Sequence, residues 1–212
     1  MCEEFGPPTS LEEVDVPCPT PSADEVLVRV EATGIGFVDG LLIQGKYQIK
    51  PPLPYSAGGE FAGKVEAIGD EVKDFAPGDA VFGTSYASLA DFVCTKATRC
   101  IEAPAGLPVA QAASLWDNYL TAVYGLYTRG LMQSGETLLV LGAAGGVGTA
   151  AIAVAKAMRT LVIGAASTPE KRATAETAGA DATVDYTQED WRKSLKAITP
   201  EGLNLVYDPV GG

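Results

Sequence analysis

The 212-residue chain contains no histidine. Without imidazole there is no zinc site of the kind that needs it, and no Ser-His or Cys-His nucleophile. The 4 cysteines, Cys2, Cys18, Cys94 and Cys100, form no C-x-x-C pair. Their spacing is unlike a zinc ribbon, so reduced thiols, no bound metal and a cytoplasmic setting are expected. Long apolar runs are also missing: none approaches the roughly 18 residues that cross a membrane. The acidic opening Met1-Cys-Glu-Glu-Phe5 has no apolar core, so no secretory signal is expected either. Basic residues are few, 15 Lys and Arg against 27 Asp and Glu, for a net charge of -12. That balance argues against nucleic acid and anionic membranes as partners. Any site for a phosphate must therefore be local.

What is present is a glycine run in a telling context, Leu138-Leu-Val-Leu-Gly-Ala-Ala-Gly-Gly-Val-Gly-Thr149. Leu138 to Leu141 reads as a buried strand. A glycine turn follows, and a helix opens at about Gly146 with Val147, Ala150, Ala151, Val154, Ala155 and Met158 on one face. Strand, glycine turn and helix in that order suit a dinucleotide pyrophosphate. The glycines let the main chain approach, and the helix start offers free N–H groups and the positive end of a dipole. Ala144, Gly145, Gly146, Val147 and Gly148 are the candidate cradle.

To about residue 108 the pattern is β-rich. Strands are expected at Glu25–Glu31, Glu60–Ile68 (interrupted by Gly63), Ala80–Phe82 and Ala90–Cys94. From Leu107 to about Met132 the pattern is helical, over Ala110–Leu115 and Tyr119–Leu131. Strand and helix then alternate. Strands are expected at Leu161–Ala165, Thr183–Val184 and Leu203–Asp208, and helices at Ser167–Gly179 and Glu189–Ile198. Ser167 and Glu170 read as a capping box at the start of the first of these helices. Such alternation predicts right-handed βαβ units on a parallel sheet. The expected class is α/β, with a β-rich domain over 1–108 and a dinucleotide-binding domain over 109–212.

Several short motifs stand in order: Gly45-Lys-Tyr47, Gly58-Gly-Glu-Phe-Ala-Gly63, Pro77-Gly-Asp79, Thr121-Ala122 and the glycine run. Ala166-Ser-Thr-Pro-Glu-Lys171, Ala178-Gly-Ala-Asp181 and Val206-Tyr-Asp-Pro-Val-Gly-Gly212 follow. The set resembles the zinc-free quinone oxidoreductases of the medium-chain dehydrogenase/reductase superfamily, the group that includes NADPH:quinone reductase and zeta-crystallin. The resemblance implies a GroES-like catalytic domain followed by a Rossmann domain. It also implies hydride transfer from NADPH to a quinone or related conjugated carbonyl. Two alternatives stay open: a non-catalytic, crystallin-like NADPH-binding protein, and an enoyl-thioester reductase of the same superfamily.

The residues around the second strand bear on cofactor choice. An NAD site places a carboxylate about 20 residues after the glycines, on the ribose 2′-hydroxyl. Here the strand ends in Gly164-Ala-Ala-Ser167 with no acid. Ser167, Lys171 and Tyr186 are candidates for a 2′-phosphate, which favours NADPH. For Lys171 the alternative is a solvated helix face, and Arg172 is either a further phosphate contact or part of that same face. By resemblance, Tyr47 approaches nicotinamide and substrate, where a phenol can polarise a carbonyl, with a loop tyrosine packed against Pro51 and Pro52 as the alternative. Asp39 matches an active-site aspartate, with a helix-start role as the alternative. Thr121 matches a threonine near the nicotinamide, with a bond to its own helix as the alternative. Glu60 reads as a structural carboxylate.

Three departures from the family pattern stand out: Gly36 where an asparagine is usual, Arg159-Thr160 where Gly-Ala is usual, and Trp116-Asp117 in a stretch that is usually small or apolar. A left-handed helix stop at Arg159 costs roughly 1 kcal/mol without glycine. The Leu203–Asp208 strand is expected as the fourth of its sheet. Family chains continue well past it, so a shortened product or fragment is expected, with the usual homodimer edge missing and the fourth strand a bare apolar edge.

Overall fold

A computed structural model of the chain describes residues 1–211; Gly212, the last residue of the Val206–Gly212 motif, lies outside the described residues. The chain divides into two compact units, Met1–Asp117 and the part from Asn118 onward.

The first unit carries an antiparallel sheet of β1 (Glu25–Gly34), β2 (Glu60–Ile68), β3 (Ala80–Thr84), β4 (Phe92–Lys96) and β5 (Cys100–Glu102), in the order β4-β1-β2-β3-β5. Val26, Val28, Phe61, Val65, Val81 and Val93 form its core. β1 runs past the Glu31 expected from alternation. Its register with β2 slips between Leu27 and Val28 and again between Val30 and Ala32, and each slip resets the side-chain alternation that marks a strand in sequence. Gly63 pairs with Val30 beside the second slip, and a Cβ there would overlap the Arg29 carbonyl. The interruption read from sequence is thus a close approach of two strands.

Three helices belong wholly or in part to this unit. α1 (Phe37–Ile43) buries Asp39, Leu42 and Ile43 and exposes Phe37. α2 (Val109–Ala112) packs Ala112 against Ala62 and Phe82. α3 (Trp116–Val123) begins with Trp116, whose ring meets Phe82 edge-on at 6.4 Å. The helical stretch expected at Ala110–Leu115 is thus the shorter α2. The one expected at Tyr119–Leu131 is α3 followed by a π-helical turn at Tyr124–Arg129.

The second unit is an α/β sandwich. β6 (Thr137–Val140), β7 (Leu161–Ala165), β8 (Ala182–Val184) and β9 (Leu205–Tyr207) form a parallel sheet in the order β8-β7-β6-β9. This is the start of the 3-2-1-4 order of a dinucleotide-binding sheet. α4 (Gly146–Ala157) and α5 (Pro169–Thr177) cover one face, where Leu138, Val140 and Val162 meet Ala150, Ala151, Ile152, Ala155 and Ala175. α6 (Trp191–Ile198) covers the other, with Leu195 on Leu139 and Ile163. Each large apolar side chain buried this way contributes roughly 1.5–3 kcal/mol.

The π-helical turn fits β9 through two glycines. A Cβ on Gly125 would overlap the Tyr207 ring, and one on Gly130 would stand 2.7 Å from Leu205 Cδ2. The Tyr207 hydroxyl donates to the Thr121 carbonyl at 3.3 Å.

Two sequence expectations meet the structure at helix ends. Arg159 follows α4 with φ +61°, the left-handed stop expected there without glycine. At α5 the capping box read from Ser167 and Glu170 is displaced by one residue. Thr168 is the N-cap and its hydroxyl accepts the Lys171 N–H at 3.3 Å. Pro169 explains the shift: it has no N–H and a fixed φ, and the first helical position is where both fit. The shift leaves the Ser167 hydroxyl outside the cap.

Candidate cofactor site

The second unit holds the glycine cradle. Gly145 is the N-cap of α4 and is exposed, with φ -78° and ψ 166°. Its N–H donates to the Gly142 carbonyl at 3.0 Å. The next three N–H groups, of Gly146, Val147 and Gly148, have no backbone acceptor among the described residues, as the first turn of any helix requires. They and the helix dipole make this end attractive to an anion.

The glycines here have different reasons. A Cβ on Gly148 would overlap the Gly142 carbonyl and press on the Ala143 main chain, so Gly148 is needed for α4 to pack on the turn after β6. Gly142 itself takes φ +58°. A Cβ on Gly146 would lie 2.9 Å from Asn118 Oδ1 and 3.0 Å from Asn118 Nδ2. A Cβ on Gly145 would meet only the Gly142 carbonyl oxygen, at 3.4 Å, and its φ suits any residue. Gly145 is therefore the cradle glycine with the most room for a side chain, while at Gly146 the obstacle is the end of the Asn118 side chain.

At the far end of β7, Ser167 is half-buried while Lys171 and Tyr186 are exposed. Arg172 is neither a free cation nor part of a solvated face. Its NH1 lies 2.8 Å from Asp185 Oδ2, and it reaches toward the Ala166 carbonyl at 3.4 Å. Asp185 is held below the usual carboxylate range, first by the Thr187 hydroxyl and N–H that donate to its other oxygen and then by Arg172.

The remaining candidates divide between the units. Thr121 lies on the exposed side of α3 in the second unit. Its hydroxyl makes no hydrogen bond among the described residues, whereas those of Thr149, Thr174 and Thr177 bond back along their own helices. In the first unit, Tyr47 is half-buried just beyond α1. Asp39 is 6% exposed, and its Oδ2 accepts the Gly36 N–H at 2.7 Å, which closes the first turn of α1. The helix-start role thus holds for Asp39, and Gly36 supplies the N–H that it uses.

Glu60 is more deeply buried, at 3% exposure. Its Oε2 accepts the Asp117 N–H at 3.1 Å, so it holds the start of α3. Burial pushes its pKa up to about 7; the Asp117 N–H opposes this, while the charges of Asp117 and Asp39 add to it.

Residues 22–134 match the alcohol dehydrogenase GroES-like domain, and residues 146–212 match a family described as zinc-binding dehydrogenase. The chain belongs to the medium-chain dehydrogenase/reductase superfamily. A probable oxidoreductase from Mycobacterium abscessus is 34% identical with a TM-score of 0.92, over 99% of this chain and 68% of that one. An Escherichia coli quinone oxidoreductase, solved as a complex with NADPH, is 33% identical with a TM-score of 0.87, over 99% of this chain and 65% of that one. Quinone oxidoreductase-like protein 2 of Rattus norvegicus is 37% identical over all of this chain and 61% of its own length. The chain spans about three fifths of the length of the quinone oxidoreductase-like relatives it matches. Among the described residues, no helix is long and apolar enough to cross a membrane.

Sequence reasoning missed two features of this superfamily member's second unit. Asn118 sits over the cradle from 28 positions upstream of Gly146, and no local pattern marks it. Asp185 neutralises Arg172, and the only sequence signal is its place at the end of a strand, beside Tyr186.

Proposed function

We propose that the chain binds NADPH at the cradle of α4 and directs its hydride to a quinone or related conjugated carbonyl, without zinc. The observation that carries this reading is Gly145. The protein's own packing leaves room for a side chain there, yet the position holds glycine, which a pyrophosphate resting on the free N–H groups requires. Asn118 is a further donor and acceptor at that place.

At the other end, β7 is followed by Ala166 and Ser167 rather than an acid. Ser167, released from capping, would hold a 2′-phosphate together with Lys171 and Tyr186. Two of the similar proteins are quinone oxidoreductases or their likes by name, and one of these is an NADPH complex, which supports the cofactor and the acceptor class. With no histidine in the sequence, the imidazole share of a zinc site has no donor. The free cysteines suit a reducing compartment such as the cytosol.

The bound nicotinamide supplies the hydride. The chain's own residues need only align the acceptor, exclude water and steady the oxyanion that develops. Tyr47 donates its phenol hydrogen to the acceptor carbonyl oxygen. The Thr121 hydroxyl, free of its own helix, serves the nicotinamide end. Asp39 acts at one remove: by closing the first turn of α1 it fixes the helix that leads into Tyr47.

The test is a titration of the purified chain with NADPH and NADH, followed by NADPH consumption with a quinone and with an enoyl thioester. Tighter binding of NADPH and turnover on the quinone are expected. Binding without turnover on either acceptor overturns the enzymatic part and leaves a cofactor-binding protein. Equal affinity for the two cofactors overturns the assignment of Ser167, Lys171 and Tyr186.

A further inference from the structure

We infer that the Arg172–Asp185 ion pair sets the preference for NADPH by cancelling a carboxylate beside the 2′-phosphate subsite, with Arg172 acting on Asp185 rather than on the phosphate. The inference rests on the NADPH reading above.

Arg172 is committed elsewhere. Its NH1 is 2.8 Å from Asp185 Oδ2, and the same nitrogen reaches the Ala166 carbonyl. With side chains 22% and 20% exposed, this is the most enclosed of the ion pairs among the described residues. Asp185 is equally occupied, since its Oδ1 accepts both the N–H (3.0 Å) and the hydroxyl (2.6 Å) of Thr187. A guanidinium held this way is a poor phosphate ligand, because binding the phosphate would expose a half-buried carboxylate.

The neighbours give the pair its meaning. Lys171 precedes Arg172 in the first turn of α5, and Tyr186 follows Asp185 after β8. The inner members of these two dipeptides hold each other, and the outer members, both exposed, are the phosphate candidates. Asp185 therefore stands within one residue of a site meant for a dianion. Left bare, it would repel that dianion and leave the unphosphorylated ribose of NADH nearly untouched. Screening makes the repulsion strongest at low salt.

Three variants of the full chain test this by binding alone, read by cofactor fluorescence at low salt. R172M is expected to weaken NADPH about tenfold and NADH less than about threefold, with the NADPH loss shrinking at high salt. Removing the second charge as well, in R172M/D185N, is expected to recover NADPH affinity toward that of the unchanged protein. R172K keeps the charge and is expected to keep the original ratio. If the double variant stays as weak as R172M, Arg172 is a phosphate ligand and the inference falls. If R172M weakens both cofactors equally, the pair is only structural and it falls again. If the unchanged protein shows no preference for NADPH, the underlying reading falls and takes this one with it.

Discussion

The buried carboxylate of Glu60 accepts the main-chain N–H of Asp117 at 3.1 Å, so one acid on β2 holds the start of α3. It does so inside a cluster of negative charge. Gly59 separates Asp39 from Asp117, and a Cβ on it would lie 3.3 Å from one carboxylate and 3.4 Å from the other.

That arrangement predicts a pH dependence of stability. Glu60 titrates at about 7 in the folded chain, against 4.5 ordinarily, because burial penalises its charge. Between those values the folded chain holds a proton that the unfolded chain has released. Stability therefore falls as pH rises through this window, by up to roughly 3 kcal/mol from this group. E60Q should remove that slope and be the more stable form at pH 8. Denaturant melts of both proteins at pH 5 and pH 8 check this, and parallel profiles would refute it.

Asp181 predicts the opposite limb. Burial would raise its pKa, but the Lys156 ammonium at 2.7 Å and the Val162 N–H at 2.7 Å more than offset this and hold it below the ordinary range. Its contribution is complete above the unfolded value of 3.8 and is lost as pH falls through the lower folded value. D181N should destabilise the protein by about 1–2 kcal/mol at neutral pH and flatten the loss of stability below pH 4. Thermal melts across acid pH measure both.

The cradle glycines should separate by assay. G148A forces a Cβ into the Gly142 carbonyl and should cost about 1–3 kcal/mol of stability. G145A should change stability by less than about 0.5 kcal/mol and yet weaken NADPH at least tenfold. Melting temperature and cofactor titration of the two variants give the comparison. An unaltered affinity in a stable G145A would remove the main support for the cofactor reading.

Arg159 invites repair. It holds φ +61° after α4, a conformation that glycine adopts freely. R159G should stabilise the chain by about 1 kcal/mol, which raises the melting temperature roughly 2–4 °C. The Arg159 carbonyl still accepts the Gly135 N–H, so the turn is unchanged.

Much of this fold was legible because periodicity and glycine context are local signals. The parallel strands themselves, the buried face of α4 and the cradle each lie within short windows. α1 was hidden because its pattern is inverted: it buries Asp39 and leaves Phe37 83% exposed. β5 is too short, at Cys100–Glu102, to show alternation. The cap of α5 was misplaced because Ser167 and Thr168 are both good caps and only Pro169 decides between them. The partner of Arg172 lies 13 residues away, across a helix and a strand that meet only in the folded chain.

Gly125 and Tyr207 occupy one volume between them. The ring of Tyr207 fills the space that any larger residue at position 125 would claim. The two positions are 82 apart in sequence, so neither is free to drift alone. Among relatives that keep the π-helical turn, the two alignment columns should covary. A tyrosine in the strand should come with glycine in the helix, and an alanine in the helix with a smaller strand residue.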